Sequence, residues 1–382
     1  MRQRDNFEIR GPDNVVFGRG TVGSIGERAA ALGDSVLVVT DAEIRRLGLL
    51  DDVLEAFDEQ SRAVAVFDDV TPEPTADVVR AGAARASEHD VDVVVGVGGG
   101  SPMDVAKAVA LLARSEQPLE NLYGRDLVED AGLPSILVPT TSGTGSEVSP
   151  AIVLYDEGEK RVVISDEAFA DTALVDPALT MHLPLELTRA TGLDAFSHAI
   201  GSYVSTTSNA YADALTVEAM ELIETHLRDA TFHGADAPLA REQMSLAAML
   251  AMLGRVNGGK AAIHSFAYGL QEMYDLPHGE AIAMVLPEVV EYNLPAAVEQ
   301  LARLGTRIYD ADGTDRERAQ AVVDGLYRLR SDVGLDRSLG SVGSRDDLNR
   351  LAEYALHSER HLRENPRDVT ERDARTLLER LF

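Results

Sequence analysis

The feature that most constrains this chain is a change of texture near residues 180–185. Ahead of it, short apolar runs alternate with amphipathic stretches. SVLVVTD (35–41) has the pattern of a buried strand ending on a carboxylate, and SRAVAVFDDV (61–70) is a second such run. TADVVRAGAARASEHD (75–90) has helical spacing behind a Thr cap. DVVVGVGGGS (92–101) reads as a strand entering a glycine turn, MDVAKAVALLAR (103–114) as a helix with Pro102 in its first turn, and LPSILVPTTSGTGSE (133–147) as a strand entering a second turn. Strands that alternate with helices predict a parallel sheet with crossover helices. Beyond Pro184 the pattern turns to long helical runs, such as 209–230 and 241–258, and β-branched runs become rare. The expectation is an α/β domain over 1–183 followed by an all-helical domain over 184–382, with no internal repeat and no low-complexity segment.

Length and composition agree with two domains: 382 residues are long for one core, and an apolar content of 45% is ordinary for a globular protein. No apolar run approaches the roughly 20 residues that span a bilayer. The start, MRQRDNFEIR, lacks the apolar core of a secretory signal, and cysteine is absent, which excludes disulfides and thiolate metal sites. A cytoplasmic protein with no membrane partner is the expectation. The net charge is −29, spread along the whole chain, and Lys107, Lys160 and Lys260 are the only lysines. A dispersed carboxylate surface that has shed lysine reads as that of a salt-accumulating halophile, with an unusually acidic mesophile as the alternative. A nucleic-acid partner is excluded, because its phosphates would be repelled. Where lysine is this scarce, each one kept suggests a place that the wide guanidinium fork cannot fill.

GVGGGSPMDVAK (96–107) follows a strand and opens a helix. Successive glycines let backbone N–H groups approach a phosphate, and the helix N-terminus adds positive potential. Taken alone, the run is also compatible with a plain glycine-rich turn. PTTSGTGSE (139–147) adds hydroxyls and further backbone donors in a matching turn. Two such turns suit a dinucleotide lying across the carboxyl edge of a sheet. Asp41 ends the strand SVLVVTD, where an acid binds both ribose hydroxyls and repels a 2′-phosphate, favouring NAD over NADP. The same Asp41 is also placed to cap the helix that follows.

A second constellation lies past the change of texture. Asp194 and His198 stand four apart in GLDAFSHAI, with no helix breaker between them, so a carboxylate and an imidazole share one helix face. His264 and His278 lie fourteen apart in AAIHSFAYGLQEMYDLPHGEAIAM. The remaining histidines, of nine in all, have contexts that suggest surface or core residues. Three imidazoles and a carboxylate suit a divalent transition metal such as iron(II), zinc, manganese, cobalt or nickel. Spacing alone leaves satisfied core histidines as the alternative. HExxH is absent, which excludes a zincin.

These motifs resemble those of the iron-containing, or group III, alcohol dehydrogenases. GGGSPMDVAK is similar to the family's GGGSxxDxAK, PTTSGTGSEVS to PTTxGTGSE, GLDAFSHAI to GxDAxxHAxE, and HSFAYGLQEMYDLPHGEAIAMVLP to HxxxHxxGxxxxxPHGxxxAxxLP. VVFGRGTVGSIGE and ENPRDVTERDARTLLE match as well, so the likeness runs nearly end to end. It implies a Rossmann-like dinucleotide-binding domain, a helical metal-binding domain, a dehydroquinate synthase-like architecture and an active site in a cleft. It assigns metal ligation to Asp194, His198, His264 and His278. It assigns cofactor contact to Asp41, Gly98, Gly99, Gly100, Ser101, Thr140, Thr141, Thr144 and Ser146, and matches Asp104 to the family acid after the glycine turn. A family lysine near the cofactor falls on Lys160 or on Arg161. The implied partners are NAD, a divalent metal (iron(II) first), a small alcohol or aldehyde, and further copies of the chain in a homodimer or larger homo-oligomer.

One departure bears on mechanism. Many members carry a second His four residues after the third ligand, where this chain has Tyr268, and Gly201 stands where Glu is common. Tyr appears at the former position in the hydroxyacid–oxoacid transhydrogenase branch, which keeps that reading open. Tyr268 is added to the catalytic set as a hydrogen-bonding group, although a phenol is a poor base without help. The expected reaction is metal-assisted, reversible hydride transfer between a small alcohol, diol or hydroxyacid and nicotinamide. A synthase resembling dehydroquinate synthase, with NAD regenerated in each turnover, and a non-catalytic NAD sensor are the other readings.

Overall fold

The computed structural model describes residues 6–58 and 63–382. The described chain forms two compact units, Arg10–Leu183 and Pro184–Phe382, with residues 6–9 belonging to the second.

The first unit contains strands β1 (Asn14–Phe17), β2 (Ser35–Asp41), β3 (Ala63–Val70), β4 (Val93–Gly98), β5 (Gly124–Arg125), β6 (Ser135–Pro139), β7 (Ala151–Asp156), β8 (Glu159–Ile164) and β9 (Thr172–Val175). Its α-helices are α1 (Ile25–Ala30), α2 (Ala42–Arg46), α3 (Asp51–Asp58), α4 (Ala76–Glu88) and α5 (Gly100–Arg114). Six strands form a parallel sheet in the order β1-β9-β6-β4-β2-β3. The inner strands β4, β6 and β9 are buried throughout, and β2 at all but its ends. Their continuous apolar runs follow from covering both faces of a parallel sheet. Side-chain alternation divides β2 cleanly. Leu37 and Val39 join Val79 of α4 and Val105 and Val109 of α5 in one layer, whereas Val36 and Val38 join Ile25 of α1 and Val53 and Phe57 of α3 in the other.

The local boundaries have physical causes. The helix expected from residue 75 begins at Ala76 and stops at Glu88, two residues before the left-handed Asp90 (φ 46°). The helix expected from Met103 begins earlier, at Gly100, because the extended Gly99 already serves as its N-cap. Residues 61 and 62 of the second expected strand lie outside the described residues, and the strand is described from Ala63. A small second sheet, β5-β8-β7, carries an antiparallel β7–β8 hairpin. Glu157 (φ 50°) and Gly158 (φ 79°) form its turn, both in the positive-φ region that tight two-residue hairpins require.

The second unit contains α6 (Leu185–Val204), α7 (Ala210–His233), α8 (Pro238–Gly258), α9 (Ile263–Tyr274), α10 (His278–Asn293), α11 (Val298–Tyr309), α12 (Asp315–Asp332), α13 (Leu348–His357), α14 (Glu359–Glu364) and α15 (Glu371–Glu379), and no strand among its described residues. α6 is buried continuously from Gly192 to Val204 and shares one apolar core with α7 to α13 and α15. Phe196 and Phe266 are fully buried there, each contributing about 1.5–3 kcal/mol relative to exposure. Asn209 caps α7 by accepting from Tyr211 and Ala212 N–H at 3.1 Å each, and Pro238 opens α8 at a position that needs no donor. No helix among the described residues is long and apolar enough to cross a membrane.

Candidate active site

Three helices bring the metal-like constellation together. Asp194 and His198 sit one turn apart in the middle of α6, and His264 is the second residue of α9. α9 ends on left-handed Asp275 (φ 51°), whose N–H caps Gln271 C=O. Leu276 and Pro277 then redirect the chain, and His278 opens α10. Asp tolerates the left-handed region better than most residues, so this reversal needs no glycine.

The side chains converge on one oxygen. Asp194 Oδ1 lies 3.4 Å from His198 Nε2, 3.5 Å from His264 Nε2 and 3.4 Å from His278 Nε2. The Nε2 atoms of His198 and His264 are 3.2 Å apart, with the two rings stacked at 5.0 Å. Asp194 Oδ1 is buried and has no hydrogen-bond partner among the described residues. A buried carboxylate oxygen ringed by imidazole nitrogens at slightly more than bonding distance fits a divalent transition ion better than any arrangement of hydrogen bonds. Asp194, His198 and His264 form the compact, buried part of this group, and His278 is the open member, with its side chain 36% exposed.

The electrostatics suit ligation. Burial alone would raise the Asp194 carboxyl, but the imidazoles of His198 and His278, with His264, outweigh it and hold the group well below the ordinary carboxylate range. Burial and the Arg255 guanidinium push His264 well below the usual histidine range, against the pull of Asp194, so its lone pair stays available. His278 Nδ1 lies 3.0 Å from Gln271 Oε1. That oxygen only accepts, so Nδ1 carries the proton and Nε2 keeps the lone pair facing Asp194.

Further side chains surround these four. Arg255 of α8 places Nη1 3.0 Å from His264 Nε2. His361 of α14 stacks on His264 at 6.0 Å, and Tyr268 meets both rings edge-on at 6.4 and 6.0 Å. Burial raises the Tyr268 phenol above its ordinary value, which leaves it a donor and not a base. Asn365 braces the scaffold. Its Oδ1 accepts from Ala262 N–H, ahead of α9, at 3.1 Å and from Asn293 Nδ2, at the end of α10, at 2.8 Å. Sequence reasoning passed over Gln271, Arg255, His361 and Asn365. Arg255, a lone cation in the small-residue run MLGRVNGG, was the most findable of them.

In the first unit, the expected cofactor residues occupy the carboxyl ends of three adjacent strands. Asp41 ends β2, Gly98 ends β4, and Thr140 follows β6. The two glycine turns touch: Thr140 N–H donates to Gly98 C=O at 2.9 Å, and Thr141 and Thr144 side chains lie where β-carbons on Gly99 and Gly100 would point. Gly98 (φ 151°) leaves no room for a side chain, since a β-carbon there would meet Pro102 at 2.6 Å. Asp41 caps α2 by accepting from Ile44 N–H at 2.8 Å, so the capping alternative is realised whatever else the second oxygen does.

Two residues have internal structural jobs. Asp104 accepts from Ser146 Oγ and from Val153 N–H, the latter at 2.9 Å. Buried Lys107 lies 2.9 Å from Asp104 and donates to Ser146 Oγ at 2.8 Å and to the Ala151 carbonyl at 2.5 Å. A compact ammonium with several donors rivets the second turn to α5, which a planar fork could not do. Ser101 Oγ donates to the Pro72 carbonyl. Lys160 and Arg161 lie on β8 of the small sheet, opposite Tyr155 and Leu154.

Comparison with known proteins matches residues 12–177 to "Iron-containing alcohol dehydrogenase" and residues 188–382 to "Fe-containing alcohol dehydrogenase family, C-terminal". The chain belongs to the iron-containing alcohol dehydrogenase family. Family membership makes it an oxidoreductase of the alcohol dehydrogenase type. It is 38% identical to long-chain-alcohol dehydrogenase 1 of Geobacillus thermodenitrificans over 91% of this chain and 89% of that one. It is 33% identical to the 1,3-propanediol dehydrogenase of Citrobacter freundii over 98% and 99% of the two chains. Among solved structures, a 1,3-propanediol oxidoreductase superposes with a TM-score of 0.95 at 32% identity, covering 99% of this chain and all of the other. These family members favour a dehydrogenase over the transhydrogenase, synthase and sensor alternatives.

Proposed function

We propose that this chain catalyses reversible, NAD-linked oxidation of small alcohols or diols, with Asp194, His198, His264 and His278 holding a divalent metal. The observation that carries the reading is the approach of three imidazole Nε2 atoms to the buried Asp194 Oδ1, at 3.4–3.5 Å. When bound, the ion supplies Lewis acidity toward an alcohol or carbonyl oxygen, and the nicotinamide supplies the hydride acceptor or donor. Asp194 stays ionised, and His264 stays neutral, so each offers a lone pair at the pH of turnover. Gln271 fixes the His278 tautomer. Tyr268, protonated throughout, orients substrate or water by donating a hydrogen bond. The proton of the alcohol therefore leaves through water, on the open side marked by His278.

The nucleotide reading rests on the carboxyl edge of β2, β4 and β6. Gly98, Gly99, Gly100 and Ser101 bring backbone N–H groups to the pyrophosphate, with Thr140, Thr141, Thr144 and Ser146 in the facing turn. Asp104 acts by holding Ser146, and the family lysine falls on Lys160 or on its neighbour Arg161. Asp41 favours NAD over NADP, through its oxygen that does not cap α2. Iron(II) is the native ion proposed from the family, although the N/O donor set also accommodates zinc, manganese, cobalt and nickel. The acid excess, 64 carboxylates against 35 basic residues, supports a cytoplasmic enzyme of a salt-accumulating halophile, whose thermal midpoint rises with potassium chloride. A homo-oligomer, the state the family implies, is read by light scattering.

Chelator treatment should abolish NADH formation from a panel of alcohols and diols, and added iron(II) or zinc should restore it. Full activity in the chelated protein, or in His278→Ala, would sink the proposal.

A further inference from the structure

Arg45 of α2 pairs against its sequence spacing. It stands four residues after Asp41, the distance at which an acid and a following base on one helix pair readily, and the acid comes first, which is the better order. Yet Arg45 Nη1 donates to Asp68 Oδ2 of β3 at 2.6 Å, and among the described residues no ion pair joins it to Asp41. Asp68 follows Val64 and Val66, which pack in the same layer as Ile44 of α2, so alternation along β3 puts it on the face that α2 covers. Neighbouring Arg46 is held as well: its Nε and Nη2 both donate to Glu43, at 2.7 and 2.5 Å. Asp41 therefore spends one oxygen on Ile44 N–H, at 2.8 Å, and the adjacent guanidinium groups leave its other oxygen un-neutralised.

This choice of partner bears on the dinucleotide. A carboxylate at the end of β2 accepts from the two ribose hydroxyls of NAD and repels the 2′-phosphate of NADP. An arginine bonded to that same carboxylate reverses both effects. It occupies the acceptor, cancels the charge and brings a planar fork of donors to a phosphate. Resting on the nucleotide reading above, we propose that Asp68 is a positioning residue for dinucleotide choice: by holding Arg45 it keeps Asp41 open to the ribose diol and withholds a guanidinium from a 2′-phosphate. The Arg45 side chain is 60% exposed and that of Asp68 29%, so water and salt weaken the pair, and its hold on the choice is a matter of a few-fold. Preference for NAD is then set by three residues, of which Asp41 alone touches the ribose.

The test is equilibrium binding by titration calorimetry at one fixed potassium chloride concentration. NAD is compared with NADP, and AMP with adenosine 2′,5′-bisphosphate; the second pair reports the 2′-phosphate without the nicotinamide or the metal site. Wild type should bind the 2′-phosphorylated member of each pair more weakly. Asp68→Asn should narrow that gap about twofold to fivefold, the range of an exposed ion pair, and Asp68→Glu should restore most of it. Adding Arg45→Gln to Asp68→Asn should return the ratio to that of wild type, because the released guanidinium has gone. A merely structural ion pair would lower the melting temperature and leave the ratio where it was. Equal binding of both members by wild type overturns the inference, as does a ratio unmoved in Asp68→Asn or a shift that persists after Arg45→Gln is added. A protein that binds NAD with a preference indifferent to Asp68 loses this inference alone. A protein that binds neither NAD nor AMP loses the nucleotide reading with it.

Discussion

The two candidate sites are built from different materials. At the carboxyl edge of β2, β4 and β6, the proposed nucleotide contacts are mostly backbone groups, exposed by glycines and steadied by the buried Lys107–Asp104–Ser146 clasp. In the helical unit the donors are side chains, aimed from α6, α9 and α10 at Asp194 Oδ1. A backbone site fails when its shape changes. A side-chain site fails when one atom is removed. The sharpest break in this comparison is Asp194→Ala, which should abolish stoichiometric metal content after dialysis and lower turnover by roughly a thousandfold, the scale of Lewis-acid assistance. Metal analysis and NADH formation report both effects, and retention of the ion at wild-type affinity would refute the assignment.

The backbone site has its own titratable weak point. Glu147, buried in the second glycine turn, is pushed up to about 7 by desolvation, against its own backbone hydrogen bond and Lys107. An unfolded glutamate ionises near 4.5. Between these values the folded state holds one more proton, so stability falls as pH rises through that window and stays at its lower level above it. Glu147→Gln should therefore stabilise the protein at pH 8 by on the order of 3 kcal/mol and change little at pH 4.5. Thermal melts at the two values decide it, and an equal effect at both would contradict the sign.

Support for the side-chain site should matter less than its ligands. Gln271→Ala removes the acceptor at His278 Nδ1 and should weaken metal affinity about tenfold to a hundredfold, measured by competition with a chromophoric chelator. The smallest effect is expected at Asp41, where Asp41→Ala should cost about 1 kcal/mol by uncapping α2. It should also narrow the gap between NAD and NADP in KM. Loss of stability with an unchanged NAD/NADP ratio would make Asp41 a cap and nothing more.

Much of this was legible because glycine turns and i, i+4 pairs are local. β2 runs over the residues expected, and the Asp194/His198 pair lies on one helix face, because each depends on neighbours a few residues away. The parallel sheet followed from the alternation of strands and helices. What escaped was non-local or turn-coded. The β7–β8 hairpin hinges on Glu157 and Gly158 adopting positive φ within YDEGEKR, a short polar turn that the strand-and-helix rhythm obscured. Arg255, Gln271 and His361 matter through their distance to other side chains, which no spacing rule encodes. Lys107 was marked by lysine scarcity, yet its work is internal: it holds Ser146 and Asp104.

Asn365 has a consequence in time. It grips Ala262, at the start of the His264 helix, across 103 residues of sequence. At about 5–20 residues per second, a growing chain carries all four proposed ligands for roughly 5–20 s before the residue that fixes two of their helices exists. The proposed metal pocket is thus a late event of synthesis. A chain interrupted within that interval would present a loosely held cluster of imidazoles to whatever ions the cell contains.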